Sequence, residues 1–188
     1  VEDLGVFHRL AKKCLLRRPG ATQARCMLYS RSELLEISSA HELRGLIRDG
    51  ALVRLARGMY VDGLDLSGWP EQIHAVKARA HGRRCAHVLS HASAAVLHGL
   101  PLPGADLTEV HFSRPGHGGN DVVGDRRLHA GELDPRWVTL VDGVRVTDVP
   151  RTLIDVARTQ PHLAAVAAID AALHRGLVDP AALVEAFE

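Results

Sequence analysis

Ser30-Arg31-Ser32-Glu33-Leu34-Leu35-Glu36-Ile37-Ser38-Ser39-Ala40-His41-Glu42-Leu43-Arg44-Gly45-Leu46-Ile47-Arg48-Asp49-Gly50 contains the same helix-start signal twice, nine residues apart. In Ser30-Arg31-Ser32-Glu33 and again in Ser39-Ala40-His41-Glu42 a serine precedes a glutamate by three positions. This is a capping box: the hydroxyl accepts from an orphan amide while the carboxylate returns to the amide of the cap. Two starts so close together leave a first helix of only two turns and a tight turn near Ile37-Ser38. The second helix, about residues 40–49, puts Leu43, Leu46 and Ile47 on one side and His41, Arg44 and Arg48 on the other, with Gly50 as its C-terminal stop.

Downstream, Ala51-Leu52-Val53-Arg54-Leu55-Ala56-Arg57-Gly58-Met59-Tyr60-Val61 predicts two short strands, Leu52–Leu55 and Met59–Val61, around a basic turn. Upstream, Leu4, Phe7, Leu10, Ala11, Cys14 and Leu15 recur at helical spacing over residues 2–17, until Arg17-Arg18-Pro19-Gly20 breaks the pattern. Helix, short helix, second short helix and basic hairpin is the order of a winged helix-turn-helix over residues 1–62. Arg44 and Arg48 then face guanine edges in a major groove, while Arg31, Arg54 and Arg57 suit phosphates. Ser39 and His41, at the start of the same helix, complete the set assigned to DNA contact.

Charge follows this division. Residues 1–57 hold eleven Lys/Arg against six Asp/Glu, and the remainder holds twelve against sixteen. A basic first third beside an acidic remainder points to a polyanionic partner for the first part only. Aromatic residues are 4% of the 188, so the core must be built from Leu, Val, Ile and Ala around a few anchors such as Phe112 and Trp137. No apolar run reaches the roughly 18 residues of a membrane span. The first residues lack a secretory apolar segment, and Cys14, Cys26 and Cys85 form no CxxC pair. These features predict a cytoplasmic protein with free thiols and no membrane partner.

After a linker at Leu64–Gly68, residues 69–188 predict mixed elements rather than a regular βαβ alternation, so the class is α+β. A helix opens at Pro70 and runs to about Ala80. Ala86–Leu89 is a short strand, residues 90–99 a small-residue helix, and Leu107–Ser113 a strand. Arg114–Gly124 is a glycine-rich loop. Strands follow at Arg126–Ala130, Trp137–Val141 and Val144–Thr147, the last two joined by the hairpin signal Asp142-Gly143. From Pro150 onward the pattern is helical, in three segments.

Enzyme chemistry finds little purchase. Of the twelve histidines, His87, His91 and His98 come closest to a metal set. His87 falls on a strand and the others on a helix, so they share no face, and no zinc spacing occurs. Asp155 and Arg151, four apart, form a surface ion pair worth a few tenths of a kcal/mol. Asp106-Leu107-Thr108-Glu109-Val110-His111 lacks the Glu-x-Lys of metal-dependent nucleases. Gly116 to Gly119 is not a phosphate loop, and Ser90 and Ser93 sit in no nucleophile elbow. The expectation is no catalytic residue, no metal and no cofactor. Rival expectations are a winged helix that binds protein alone and, less favoured, a metal-dependent nuclease or hydrolase.

Three separated segments resemble the AbiEi family of type IV toxin–antitoxin antitoxins. The first is Leu28-Tyr29-Ser30-Arg31-Ser32-Glu33-Leu34, continuing through Leu43–Arg54 to Arg57-Gly58-Met59-Tyr60. The second is Val88-Leu89-Ser90-His91-Ala92-Ser93-Ala94-Ala95-Val96-Leu97-His98-Gly99-Leu100-Pro101. The third is Val144–Arg158, containing Arg151-Thr152-Leu153-Ile154-Asp155-Val156-Ala157, followed by Ala171–Val178. The resemblance covers roughly residues 26–185. It implies a promoter-binding autoregulator (a repressor acting on its own operator), in which residues 69–188 neutralise a nucleotidyltransferase-like toxin. A homodimer is compatible with such binding. The Arg17–Cys26 loop is longer and more basic than the family pattern. Many members carry a further nuclease-like domain after the last helix, whereas the sequence here runs to Glu188.

Overall fold

The computed structural model describes residues 27–62, 70–116 and 119–187. The chain divides into two compact units, residues 1–68 and 69–188. Among the described residues it is α+β, with seven helices and two sheets. The helix expected at 2–17 and the Leu64–Gly68 linker lie outside the described residues.

In the first unit, β1 (Leu28–Ser30) leads directly into α1 (Arg31–Leu35), and α2 (Ala40–Arg48) follows after a four-residue turn. Both capping boxes form. Ser30 and Ser39 each accept through Oγ from the amide three residues on, at 3.2 Å, and Glu33 and Glu42 accept from the two serine amides at 2.8 and 2.6 Å. The turn is closed by Ser38, whose hydroxyl donates to the Leu34 carbonyl at 2.7 Å.

β2 (Leu52–Ala56) and β3 (Met59–Asp62) form the expected hairpin around Arg57-Gly58, with a register irregularity between Arg54 and Ala56. Gly50 and Gly58 both have positive φ, 74° and 71°, where a side chain would be strained. β1, which the sequence pattern did not separate from its surroundings, pairs antiparallel with β3 and makes the sheet three-stranded, β1-β3-β2. Asp62 fixes that edge, accepting from the Met27 amide at 2.8 Å and the Tyr29 hydroxyl at 3.1 Å. Tyr29, Leu34, Leu43, Leu46, Leu52 and Tyr60 form the core beneath the two helices.

The second unit is built on a six-stranded mixed sheet ordered β6-β7-β5-β4-β9-β8. Its strands are β4 (Val88–Leu89), β5 (Val110–Arg114), β6 (Asp121–Val123), β7 (Arg126–Ala130), β8 (Val138–Val141) and β9 (Val144–Thr147). Its helices are α3 (Pro70–Gly82), α4 (His91–Leu97), α5 (Val149–Thr159), α6 (His162–His174) and α7 (Pro180–Phe187). The sequence assigned Arg114–Gly124 to a loop. Instead Asp121–Val123 pairs antiparallel with β7 as a fully exposed edge strand, whose lack of a buried face erased the alternation that marks a strand. The β8–β9 hairpin turns at Asp142-Gly143, with φ of 51° and 75°, as a primed two-residue turn requires.

α4 is the hinge of this packing. All seven of its residues are buried: the small Ala92, Ser93, Ala94 and Ala95 let it sit close between its neighbours, and His91, Val96 and Leu97 are enclosed with them. Ala94 and Leu97 meet the sheet beside Phe112, Val110, Leu89 and Val146. Ala92, Ala95 and Val96 meet a helical layer containing Leu153, Val156, Ala164 and Ala168. Gly82, at the end of α3, lies against Val144, where an added Cβ would overlap the Val144 methyl.

Candidate nucleic-acid interface and a buried histidine cluster

The capping boxes start α2 at Ala40, and that phase decides its two faces. Leu43 and Leu46 are buried, so His41, Arg44 and Arg48, spaced three and four apart, share the exposed side. Arg54 and Arg57 are also exposed, one on β2 and one in the hairpin turn. Arg31, exposed at the start of α1, is brought to that turn by its own backbone, since its amide donates to the Gly58 carbonyl at 2.8 Å. Residues 26 positions apart thus supply cations to one edge. Ser39 is exposed, but its oxygen is engaged as the α2 cap. Arg48 also pairs with Asp49 at 3.0 Å, both side chains being open to water, where such a pair is worth well under about 1 kcal/mol.

In the second unit, three neighbouring strands bring together histidines that sequence reasoning did not group. His91 follows the end of β4, His111 lies on β5 and His129 on β7. β5 and β7 pair in parallel with His111 opposite Arg127 and Ser113 opposite His129, so the two histidines share a face of the sheet. One nitrogen from each of the three rings lies within 4.8 Å of the others. His111 Nδ1 and His129 Nε2 are 2.9 Å apart, and His91 stacks on His129 with ring centroids 3.6 Å apart. His87 and His98, which the sequence associated with His91, are not in the group. His98 Nε2 donates to the Thr147 carbonyl at 2.7 Å.

Burial holds all three rings below the ordinary histidine range, His91 at about 2 and His111 at about 4; repulsion from neighbouring rings adds to it at His91 and His111, and the Arg127 charge adds to it at His129. His91 also has φ of +53°, a conformation uncommon outside glycine and costing on the order of 1 kcal/mol. Its Nδ1 is 2.9 Å from Ser90 Oγ and 3.7 Å from Asp155 Oδ2.

Asp155 corrects the surface-pair expectation. Arg151 does bond it, Nε to Oδ1 at 3.0 Å, but Asp155 is 3% exposed, and its Oδ2 is buried with no hydrogen-bond partner among the described residues. The α5 phase that buries Leu153 and Val156 also turns Asp155 inward. Burial raises its pKa against the pull of Arg151. Arg151 also lines an open cleft of about 500 Å³ with Pro115, Glu132, Leu133, Asp134 and Trp137.

Ser93 Oγ, in the same region, accepts from the His111 amide at 2.8 Å and lies 2.9 Å from His74 Nε2, tying α4 to β5 and α3.

No family model matches the chain, and no curated protein matches it significantly. Among the described residues, no helix is long and apolar enough to cross a membrane.

Proposed function

We propose that the chain is a DNA-binding transcriptional autoregulator and antitoxin of the AbiEi type. In this reading its first unit is a winged helix-turn-helix that binds the operator, and its second unit binds a nucleotidyltransferase-like toxin. The observation that carries the DNA reading is the exposed row His41, Arg44 and Arg48 on a helix doubly fixed by its capping box, beside a hairpin bearing Arg54 and Arg57. An exposed α-helix with long cations at that spacing matches the width and donor–acceptor pattern of a major groove. The hairpin cations supply sequence-independent phosphate contact.

A protein partner for the second unit is supported by the exposed apolar side chains Leu163, Val166 and Leu173 on α6, at 66%, 49% and 37% exposure. Neither role needs a catalytic step by this chain.

The test is a gel shift and fluorescence-anisotropy titration against the DNA upstream of the chain's own coding region and against random duplex, across salt. Replacing Arg44 or Arg48 by Ala is expected to cost about 1–3 kcal/mol and to narrow the gap between operator and random DNA. Replacing Arg54 or Arg57 is expected to weaken both duplexes alike and to flatten the salt dependence. Equal affinity of all four variants and the parent rejects this interface. Absence of binding even at low salt leaves a protein-interaction module.

A further inference from the structure

We propose that His91, His111 and His129 form a binding site for a divalent transition-metal ion, Zn2+ foremost, with Asp155 as the carboxylate that orients His91. Strands β5 and β7 and the start of α4 bring the three nitrogens within 4.8 Å of one another, and among the described residues no carboxylate belongs to that set. An all-imidazole donor set suits Zn2+, Ni2+ or Cu2+ and disfavours Mg2+ and Ca2+. Two imidazole nitrogens on one tetrahedral Zn2+, each at about 2.0–2.1 Å, stand about 3.3–3.4 Å apart. His111 Nδ1 and His129 Nε2 are 2.9 Å apart and share one hydrogen bond, so the ion takes the place of that shared proton as the two rings separate by a few tenths of an ångström and turn, and as His91 rotates off its stack on His129 until the three lone pairs converge.

His91 carries the features that surround a ligating histidine. A metal-bound imidazole ordinarily donates its other N–H to a carboxylate or comparable acceptor, which fixes the tautomer. Here Ser90 Oγ and Asp155 Oδ2 flank Nδ1, leaving Nε2 for the ion. Among the described residues Asp155 Oδ2 is buried without a side-chain hydrogen bond, 3.7 Å from His91 Nδ1 and within one small ring rotation of it, while Arg151 holds the remaining oxygen. His91 combines a left-handed backbone conformation with a ring placed on that of His129. Burial disfavours the charged form of all three rings, so metal binding at pH 7 releases no net proton, and the proton shared by His111 Nδ1 and His129 Nε2 moves to the other nitrogen of its ring. The two cations whose charge reaches the cluster are both paired, Arg127 with Glu109 at 2.6 Å and Arg151 with Asp155 at 3.0 Å. Three protein ligands leave a fourth position for water, the coordination of an open zinc site.

The experiment uses the full chain without a polyhistidine tag, stripped by chelator and titrated with Zn2+ against a chromophoric competitor. The parent is expected to bind one equivalent with a dissociation constant below about 1 µM. His111→Gln and His129→Gln are each expected to weaken binding on the order of 100-fold, and Asp155→Asn 10–100-fold. His162→Gln, at an exposed position on α6, is expected to leave it unchanged. Circular dichroism establishes that each variant is folded. Should a cluster variant unfold, Co2+ bound to the parent still decides the matter. Intense visible bands of a tetrahedral nitrogen-rich site support the proposal, and the weak bands of six-coordinate surface cobalt overturn it. Less than a tenth of an equivalent bound at about 10 µM Zn2+, or equal affinity in the parent and folded cluster variants, also overturns it.

Discussion

Lowering the pH from 7 to 5 is expected to destabilise the second unit by about 4 kcal/mol through two histidines alone. Burial holds His91 at about 2 and His111 at about 4, against 6.5 in the unfolded chain. A histidine depressed in the folded state keeps its full contribution above pH 6.5. It then loses it as the unfolded chain takes up protons that the folded chain refuses. Each pH unit in that window is worth about 1.36 kcal/mol per group, so by pH 5 each of the two has cost about 2 kcal/mol. His74, His81 and His129 shift in the same direction and add to the loss. Asp155 and Asp148, whose pKa values burial raises, act the other way by taking protons more readily when folded. A net loss of a few kcal/mol is a large share of the roughly 5–15 kcal/mol that stabilises a domain. The assay is urea unfolding at fixed ionic strength and chelated metal, followed through the amide signals of Phe112 and Val146, which lie in the core of the second unit. His111→Gln is expected to halve the difference between pH 7 and pH 5. A midpoint that is unchanged, or higher, at pH 5 refutes the assignment of buried neutral imidazoles.

Two further substitutions probe the frame that carries the sites. Ser39→Ala removes the acceptor for the Glu42 amide and is expected to cost about 1 kcal/mol of first-unit stability, with Ser39→Asp restoring most of it in thermal melts. Gly82→Ala brings a methyl onto Val144. Overpacking of about 1–3 kcal/mol outweighs the roughly 1 kcal/mol gained in helix propensity, so the melting temperature falls.

The legible part of the chain is the part whose signals are local. Both capping boxes, the α2 phase and the Asp142-Gly143 turn depend on residues no more than four apart, and each forms as its chemistry dictates. What the sequence concealed depends on partners far along the chain. β1 is three residues long and gains its identity only by pairing with β3, with Asp62 reaching back to Met27 and Tyr29. β6 presents no buried residue, so nothing in its pattern separates it from the glycine-rich loop that precedes it. Asp155 looked like the surface half of an i,i+4 pair because spacing reports adjacency along a helix and not which side of it meets a core.

The histidine cluster shows why topology rather than spacing was needed. His91, His111 and His129 are about twenty residues apart and match no ligand motif. They converge because β5 lies between β4 and β7 and because the parallel β5–β7 register sets Ser113 opposite His129. A slip of one residue would turn His129 to the other face of the sheet and leave His111 without it. A weaker signal was available within β5 itself. Val110, His111, Phe112 and Ser113 are all buried, so this central strand has a polar side, His111 and Ser113, as well as an apolar one. An imidazole buried on the polar side of a central strand must be met by another polar group, since leaving it unpaired costs about 1–3 kcal/mol. The polar partners it requires are the ones found: His129 on its ring and, through its backbone amide, Ser93.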